Sequence, residues 1–289
     1  MRIAHIILAH KNPNQLLRLI NRINHRNADI YIHIDKKVDI NEFKFLTSES
    51  QVYFISNRIK CNWGGNSLFL GILSSLKEVL SLNKNYDFIN LLSAQDYPIT
   101  SAQSIHNYLE KNKGKNFISF DTSKDSDWWK QATLRYEKHH LTDLNFKGKY
   151  FLQKLINRFY PTRKFPLEME LFGGSKSTWW TISAECANYV NDVFSKNTKL
   201  THFLKYSWGT DEFAFATIVM NSPFKTHTIN NNLRYIDWSE GNSHPKLLLL
   251  EDYDAIISSD MLFARKFDTS IDINILNKID KNIMPEYQN

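Results

Sequence analysis

A Rossmann-like α/β fold, with a mostly parallel central sheet flanked by helices, is predicted by three features of this 289-residue chain. Short apolar runs alternate with amphipathic segments through the first 120 residues or so, which is the rhythm of βαβ units. Polar clusters follow those runs, where the loops of an open parallel sheet converge on ligands. Hydrophobic residues make up 42% and aromatic residues 13%, enough to fill a sizeable core and leave rings for clefts.

Residues 2–9 (RIAHIILA) read as a buried strand, being apolar but too short for a helix. Residues 13–26 follow as a helix opened by Pro13, whose fixed φ suits a first turn. Residues 29–34 (DIYIHI) and Val52–Ser56 are the next strands. Asn66–Leu82 is a helix, with apolar side chains at 68, 69, 72, 73, 76, 79 and 80. Asp87–Leu92 is the fourth strand, Ser101–Lys111 a helix and Asn116–Phe120 a strand. From about 121 to 170 the rhythm fails. The segments DWWKQATLRYEKHH and KGKYFLQKLINRFYPTRKFP are basic and aromatic, and read as a functional loop or lid with a helix over part of 149–160. Regularity returns with a strand at Ser177–Ser183 and helices at Ala184–Phe194 and Thr210–Met220. Strands at Thr226–Ile229 and Arg234–Trp238 and a helix at Leu250–Ser258 complete the pattern. Without repeats or a low-complexity linker, residues 1–289 read as one domain.

The net charge of +6 is spread among 36 basic and 30 acidic residues, so it draws only weakly on an anionic partner. No nucleic-acid recognition module accompanies the basic stretch, and nucleic acid is excluded as a partner. Cys61 and Cys186 lie far apart, which suits a reducing cytoplasm better than a disulfide framework or a zinc site. Neither a signal peptide nor an apolar run of membrane-spanning length is visible. The Trp128–Lys164 stretch is the part suited to peripheral contact with a membrane surface.

Four polar clusters fall at strand ends: His10-Lys11, Asp35-Lys36-Lys37, Asn62-Trp63-Gly64-Gly65 and Ser93-Ala94-Gln95-Asp96. All on one edge, they predict a ligand site, with Asp35 placed to accept hydrogen bonds from a ribose or base. No G-x-G-x-x-G follows the first strand and no phosphate-binding G-x-x-x-x-G-K-[ST] loop exists. Two D-x-D pairs could hold a metal. Asp125-Ser126-Asp127 lies in a polar loop well past its strand, and Asp252-Tyr253-Asp254 reads as the capped start of a helix. The cationic alternative is Arg265-Lys266, set among rings, where a fork and a point charge would neutralise a diphosphate. Asp211-Glu212 opens a helix just after the ring-bearing turn Tyr206-Ser207-Trp208-Gly209. A carboxylate there can take a proton from a hydroxyl, although acidic residues in a first turn commonly serve only the helix dipole.

These segments together resemble the core-2/I-branching β1,6-N-acetylglucosaminyltransferases and the related peptide O-xylosyltransferases. The resemblance runs through IILAHKN (6–12), YIHIDKK (31–37), Trp63 before the 66–82 helix, FINLLSAQDYPI (88–99) and LFGGSKSTWWTIS (171–183). It continues through YSWGTDEFAFAT (206–217), RYIDWSEGNSHPK (234–246) and LFARKFD (262–268), so it spans essentially the whole chain. It implies the glycosyltransferase-A fold and an inverting transfer of a sugar, GlcNAc or xylose, from a UDP-sugar to a glycan or lipid-linked glycan. It also implies no metal and no other cofactor. Residues 1 to about 120 become the nucleotide-sugar-binding half, and about 121–289 the acceptor-binding and catalytic half. Carried over, His10 and Asp35 contact the donor nucleotide and Glu212 is the base; Asp96, from the cluster after the fourth strand, is placed with the nucleotide contacts. Lys266 and Arg265 hold the diphosphate, with Lys246 standing in where the family's second cation falls. Gly173, Gly174, Trp179, Trp180, Trp238 and Arg135 fall in acceptor-side segments. The animal relatives' membrane anchor, stem and disulfides have no counterpart here, which points to a bacterial cytoplasmic relative, peripheral at the inner membrane, working in surface-polysaccharide synthesis. The competing readings are a metal-dependent transferase using Asp125 and Asp127, and a non-catalytic carbohydrate-binding module.

Overall fold

The computed structural model describes residues 1–283. In chain order the elements are β1 (Ile3–Ala9), α1 (Pro13–Ile23), β2 (Ala28–Ile34), β3 (Val52–Phe54), α2 (Asn66–Ser81), β4 (Phe88–Ser93) and β5 (Asp96–Pro98). Next come α3 (Ala102–Lys111), β6 (Asn116–Phe117), α4 (Asp127–Glu137), α5 (Lys149–Phe159), β7 (Thr181–Ser183), α6 (Ala184–Lys196) and α7 (Thr198–Leu204). The last are α8 (Ala214–Met220), β8 (Thr228–Ile229), β9 (Arg234–Ile236), α9 (Tyr253–Ile257), β10 (Phe263–Arg265) and α10 (Asn274–Ile283).

Seven strands form the central sheet in the order β3-β2-β1-β4-β7-β6-β8. The first four are parallel, β7 runs antiparallel to both its neighbours, and β8 is parallel to β6. The mostly parallel α/β sheet expected from the sequence is therefore present. A smaller sheet, β5-β10-β9, sits beside it.

The sheet is buried on both faces, which is why its strands read as continuous apolar runs. Side chains alternate along β1: Ala4, Ile6 and Leu8 join the core under α2, α6 and α8, whereas Ile3, Ile7 and Ala9 join the core under α1, α3 and α10. Each such Ile or Leu contributes about 1.5–3 kcal/mol by leaving water. α2 buries Phe69, Ile72, Leu76 and Val79 on one stripe. α1 stops at Ile23, short of residue 26, because Asn24 turns extended and residues 24–27 offer nothing apolar to bury.

The structure departs from the sequence-based expectation in three places that bear on the site. The stretch from 121 to 170 contains α4 as well as the expected α5; Ser126 caps α4 by accepting from the Trp129 amide at 3.3 Å. Only the last three residues of Ser177–Ser183 pair as a strand, since Thr178 is drawn away to bond Asp211. The helix expected over Thr210–Met220 breaks at Phe213, whose φ of −137° leaves a short 3-10 turn, Thr210–Glu212, before α8. Among the described residues no helix is long and apolar enough to cross a membrane.

Candidate active site

From β1 the chain moves outward to β2 and β3, then crosses back to β4 on the other side. The loops part there, at the carboxyl ends of the strands. A cavity of about 340 Å³ occupies the gap, walled by His10, Asp35, Lys37, Cys61, Trp63, Gln95, Trp179 and Arg265 among others. The Asp35 amide continues the β1–β2 pairing by donating to the Ala9 carbonyl at 2.8 Å. Its carboxylate accepts from the Lys37 amide at 2.8 Å and lies 3.5 Å from the Lys37 ammonium. At the cavity floor His33 Nε2 accepts from the Ile59 amide at 2.9 Å, and burial lowers its pKa, which keeps the ring neutral. Burial pushes the Cys61 thiol up to about 12, so it serves as wall rather than nucleophile.

Arg265 is held from two sides. Its Nε donates to Asp96 Oδ1 at 2.7 Å, and its guanidinium lies 4.6 Å from the centre of the Trp179 ring. Its two terminal nitrogens have no partner among the described residues. Asp96 itself is wholly buried, with Oδ2 taken by the Ser93 amide at 3.0 Å. It therefore positions Arg265 and does not wall the cavity, which corrects its reading as a nucleotide contact. Lys266 is half-buried; burial lowers its pKa, and Arg265 and Lys11 lower it further. Lys11 is neutralised by Asp268 at 2.6 Å, whereas Lys266 makes no ion pair among the described residues. Lys246 is corrected as a diphosphate cation because its ammonium, unlike that of Lys266, is already neutralised by Asp252 at 2.7 Å; neither lysine is part of the cavity wall.

Glu212 ends the 3-10 turn. Its backbone is fixed at both ends, the amide donating to the Gly209 carbonyl at 3.0 Å and the carbonyl accepting from the Gly174 amide at 3.1 Å. Two donors from α4 reach the same carboxylate oxygen, Oε2: the Trp128 indole at 2.5 Å and the Arg135 guanidinium. Among the described residues nothing donates to Oε1. Burial pushes the Glu212 carboxyl up to about 7, with the Arg135 charge opposing and Asp211 adding to the rise. Asp211 is also raised by burial and accepts from the Thr178 hydroxyl at 2.7 Å. Two contacts join this carboxylate pair to the cavity. Thr178 precedes the wall residue Trp179, and Trp208 packs edge-on against the wall residue Trp63 with centroids 5.3 Å apart. Trp208 in turn has Arg135 over its ring at 4.6 Å. Gly64 takes a φ of +67° where a side chain would strike that Trp208 ring.

The acceptor-side residues divide. Trp179 faces the cavity, but Trp180 is fully buried against Phe215, so its acceptor role is withdrawn. Arg135 is the partner of Glu212. Gly174 lets the backbone pass Asp121, whose Oδ1 a Cβ would meet at 2.6 Å, and Gly173 does the same against Trp128. Trp238 is half-buried beyond β9 and off the cavity wall. Asp125 and Asp127 are solvent-exposed at the start of α4, away from the cavity. Trp128, Thr178 and Asp143 were not foreseen as parts of the site, whereas Trp208 belongs to the ring-bearing turn expected before Glu212. Asp143 accepts from Asn62 Nδ2 and the Ser67 amide, each at 2.9 Å, tying the 121–170 segment to the first turn of α2.

The model of the family described as "Core-2/I-Branching enzyme" matches residues 3–256, which take in the cavity strands, Trp128, Arg135 and Glu212. A xylosyltransferase of Ciona intestinalis is 27% identical over 307 aligned residues, covering 99% of this chain and 35% of that protein. Xylosyltransferase 2 of Mus musculus is 25% identical, with 99% and 34% covered, and xylosyltransferase 1 of Rattus norvegicus is 25% identical, with 99% and 36% covered. The chain thus spans about a third of the length of these relatives. With a family match running from β1 into α9, the chain belongs to the Core-2/I-branching enzyme family.

Proposed function

We propose that this protein is an inverting glycosyltransferase that moves GlcNAc or xylose from a UDP-sugar to a glycan hydroxyl without using a metal. The observation that carries the reading is the Glu212 carboxylate, gripped on Oε2 by Trp128 and Arg135 and left without a donor on Oε1, beside a cavity walled by His10, Asp35 and Arg265. The nucleoside lies against His10 and Asp35. The acceptor hydroxyl bonds Oε1 and attacks the anomeric carbon from the face opposite the diphosphate. As the new C–O bond forms and the bond to UDP breaks, the hydroxyl proton passes to Glu212 and the electron pair leaves with UDP. Negative charge grows on the departing diphosphate, and Arg265 and Lys266 stabilise it there. Asp96 and Trp179 keep Arg265 aimed, so this cation does not have to reorganise during the reaction.

The acceptor is a glycan, free or lipid-linked, and the setting is bacterial surface-polysaccharide synthesis at the cytoplasmic face. A panel of UDP-sugars tests the reading through thermal stabilisation and slow donor hydrolysis. UDP-GlcNAc or UDP-xylose should stabilise the protein and be hydrolysed, with hydrolysis lost in Glu212→Gln. Stabilisation by none of the panel would reject the donor assignment.

A further inference from the structure

α5 is hydrogen-bonded to the protein by its polar side chains, while Leu152 and Ile156 face the cleft between it and α7. Asn157 accepts from the His139 amide and donates to the His139 carbonyl, both at 2.8 Å, and Gln153 accepts from the Leu141 amide at 2.8 Å. Lys149 holds the carbonyls of Thr142 and Leu144 at 2.9 and 3.0 Å. None of its residues is buried. The opposite arc, built from Phe151, Leu155 and Phe159 at i, i+4 and i+8, faces outward, with Phe151 69% and Phe159 74% exposed. A surface helix of a soluble protein ordinarily has the reverse arrangement, apolar side in and polar side out.

The surrounding charge identifies what covers this arc. Between Leu144 and Lys164 the sequence holds six basic residues and no acidic one. Lys147, Lys154, Arg158 and Lys164 are exposed, and Lys199 and Lys205 stand exposed on and just after neighbouring α7. A folded protein partner would need acidic groups matched to each of these, whereas an anionic bilayer supplies diffuse negative charge and an apolar interior along one plane. An amphipathic helix with rings on one side and cations flanking it is the form that lies in such an interface. The tether also links this surface to the chemistry. His140, next to the His139 that α5 grips, donates to the Tyr206 carbonyl at 2.9 Å, and Trp208 donates to the carbonyl of Arg135, the partner of Glu212, at 2.8 Å.

We propose that α5 is a membrane-docking helix, which inserts Phe151, Leu155 and Phe159 into the interface of an anionic lipid bilayer. Docking holds the Glu212 side of the cleft toward the bilayer, where a lipid-linked acceptor would be presented. The docking itself does not rest on the sugar-transfer reading. Flotation of the full chain with phosphatidylcholine vesicles, with and without phosphatidylglycerol, tests it. Binding is expected only to the phosphatidylglycerol vesicles, to fall as salt is raised, and to weaken at least about tenfold in the double variant Phe151→Ser/Phe159→Ser, each ring having lost its apolar insertion. Hydrolysis of the donor in solution should be unchanged in that variant, since neither ring touches the cavity. Absence of binding to phosphatidylglycerol vesicles, or equal binding by the double variant, would overturn the proposal. So would a dimer of the wild-type chain that the double variant disperses, because a second copy would then cover the arc. Loss of donor hydrolysis in Glu212→Gln with docking intact would leave the two readings separately judged.

Discussion

At Glu212 three effects set the affinity for a proton. Burial disfavours the charged form, Arg135 favours it, and Asp211 next door disfavours it again, leaving the carboxyl near 7. A base is effective when its pKa lies near the working pH, so this environment suits proton removal from a hydroxyl. Glu212→Gln should keep the contacts to Trp128 and Arg135 but cannot accept a proton, and turnover should fall by about 10²–10⁴-fold. Near-normal transfer by that variant would remove the assignment. A base acts in its deprotonated form, so with Glu212 in that role kcat/KM should climb with pH, level off above about 7, and lose this limb in the variant. On the donor side, Asp35→Ala should weaken nucleotide binding by about 1–3 kcal/mol in calorimetry, the usual cost of losing one partner of a charged hydrogen bond. Lys266→Ala should depress kcat more than donor affinity, because charge on the diphosphate is greatest as the bond breaks. Wild-type activity should persist in excess EDTA; recovery of treated enzyme only with Mn²⁺ or Mg²⁺ would restore Asp125 and Asp127 as the leading candidates.

The elements explain which parts of the site were legible in the sequence. His10 and Asp35 were, because an apolar run followed by a polar pair marks the carboxyl end of a parallel strand wherever it pairs. The grip on Glu212 was not: Trp128 and Arg135 come from 84 and 77 residues away. They sit on a helix whose three buried residues, Trp128, Trp129 and Ala132, cover barely more than one turn. Its Ser126 cap followed by Asp127 was the available signal. Trp179 and Trp180 were read alike, although Trp179 faces the cavity and Trp180 is buried in the core. Asp143 shows how a loop can serve a helix. Its carboxylate takes the place of a cap at the start of α2, receiving the Ser67 amide at 2.9 Å and the Ser67 hydroxyl at 2.5 Å, while Gly65 at the N-cap position offers no side chain. Asp143→Ala should cost about 1–3 kcal/mol, by stranding those donors and loosening the turn that carries Trp63. A lowered Tm with donor KM raised more than kcat is lowered would agree; an unchanged Tm would not.

Across the whole molecule, the fold was legible where strands are buried on both faces, and least so from 121 to 170, where tethers made by Asp143, Gln153 and Asn157 replace a continuous apolar stripe. The buried faces also enclose histidines. His5, on β1, is fully enclosed and accepts from Asn90 Nδ2 at 2.9 Å; burial, with His106 and Arg234 adding to it, pushes its pKa down to about 3. His106, stacked on His25 at 3.7 Å, is pushed down to about 4, chiefly by burial. In an unfolded chain both would titrate near 6.5. Above that value folded and unfolded states are alike neutral and the histidines add no pH dependence. Below it the unfolded chain takes up protons that the folded one refuses, so stability is lost as pH falls, by about 1.4 kcal/mol per pH unit for each fully excluded histidine. Carboxylates held low, such as Asp29 and Asp268, begin to contribute only nearer their own range, about pH 4. In the interval from about pH 6.5 to about pH 5 the histidines pull stability down, while Glu212, raised to about 7 in the folded state, takes up its proton there before the unfolded chain does and offsets about one of them. Urea unfolding across that interval should give a stability that declines with acid, and His5→Asn, whatever its effect on stability at neutral pH, should reduce the slope by about one proton. Equal slopes in the two proteins would show that His5 is protonated without cost inside the sheet.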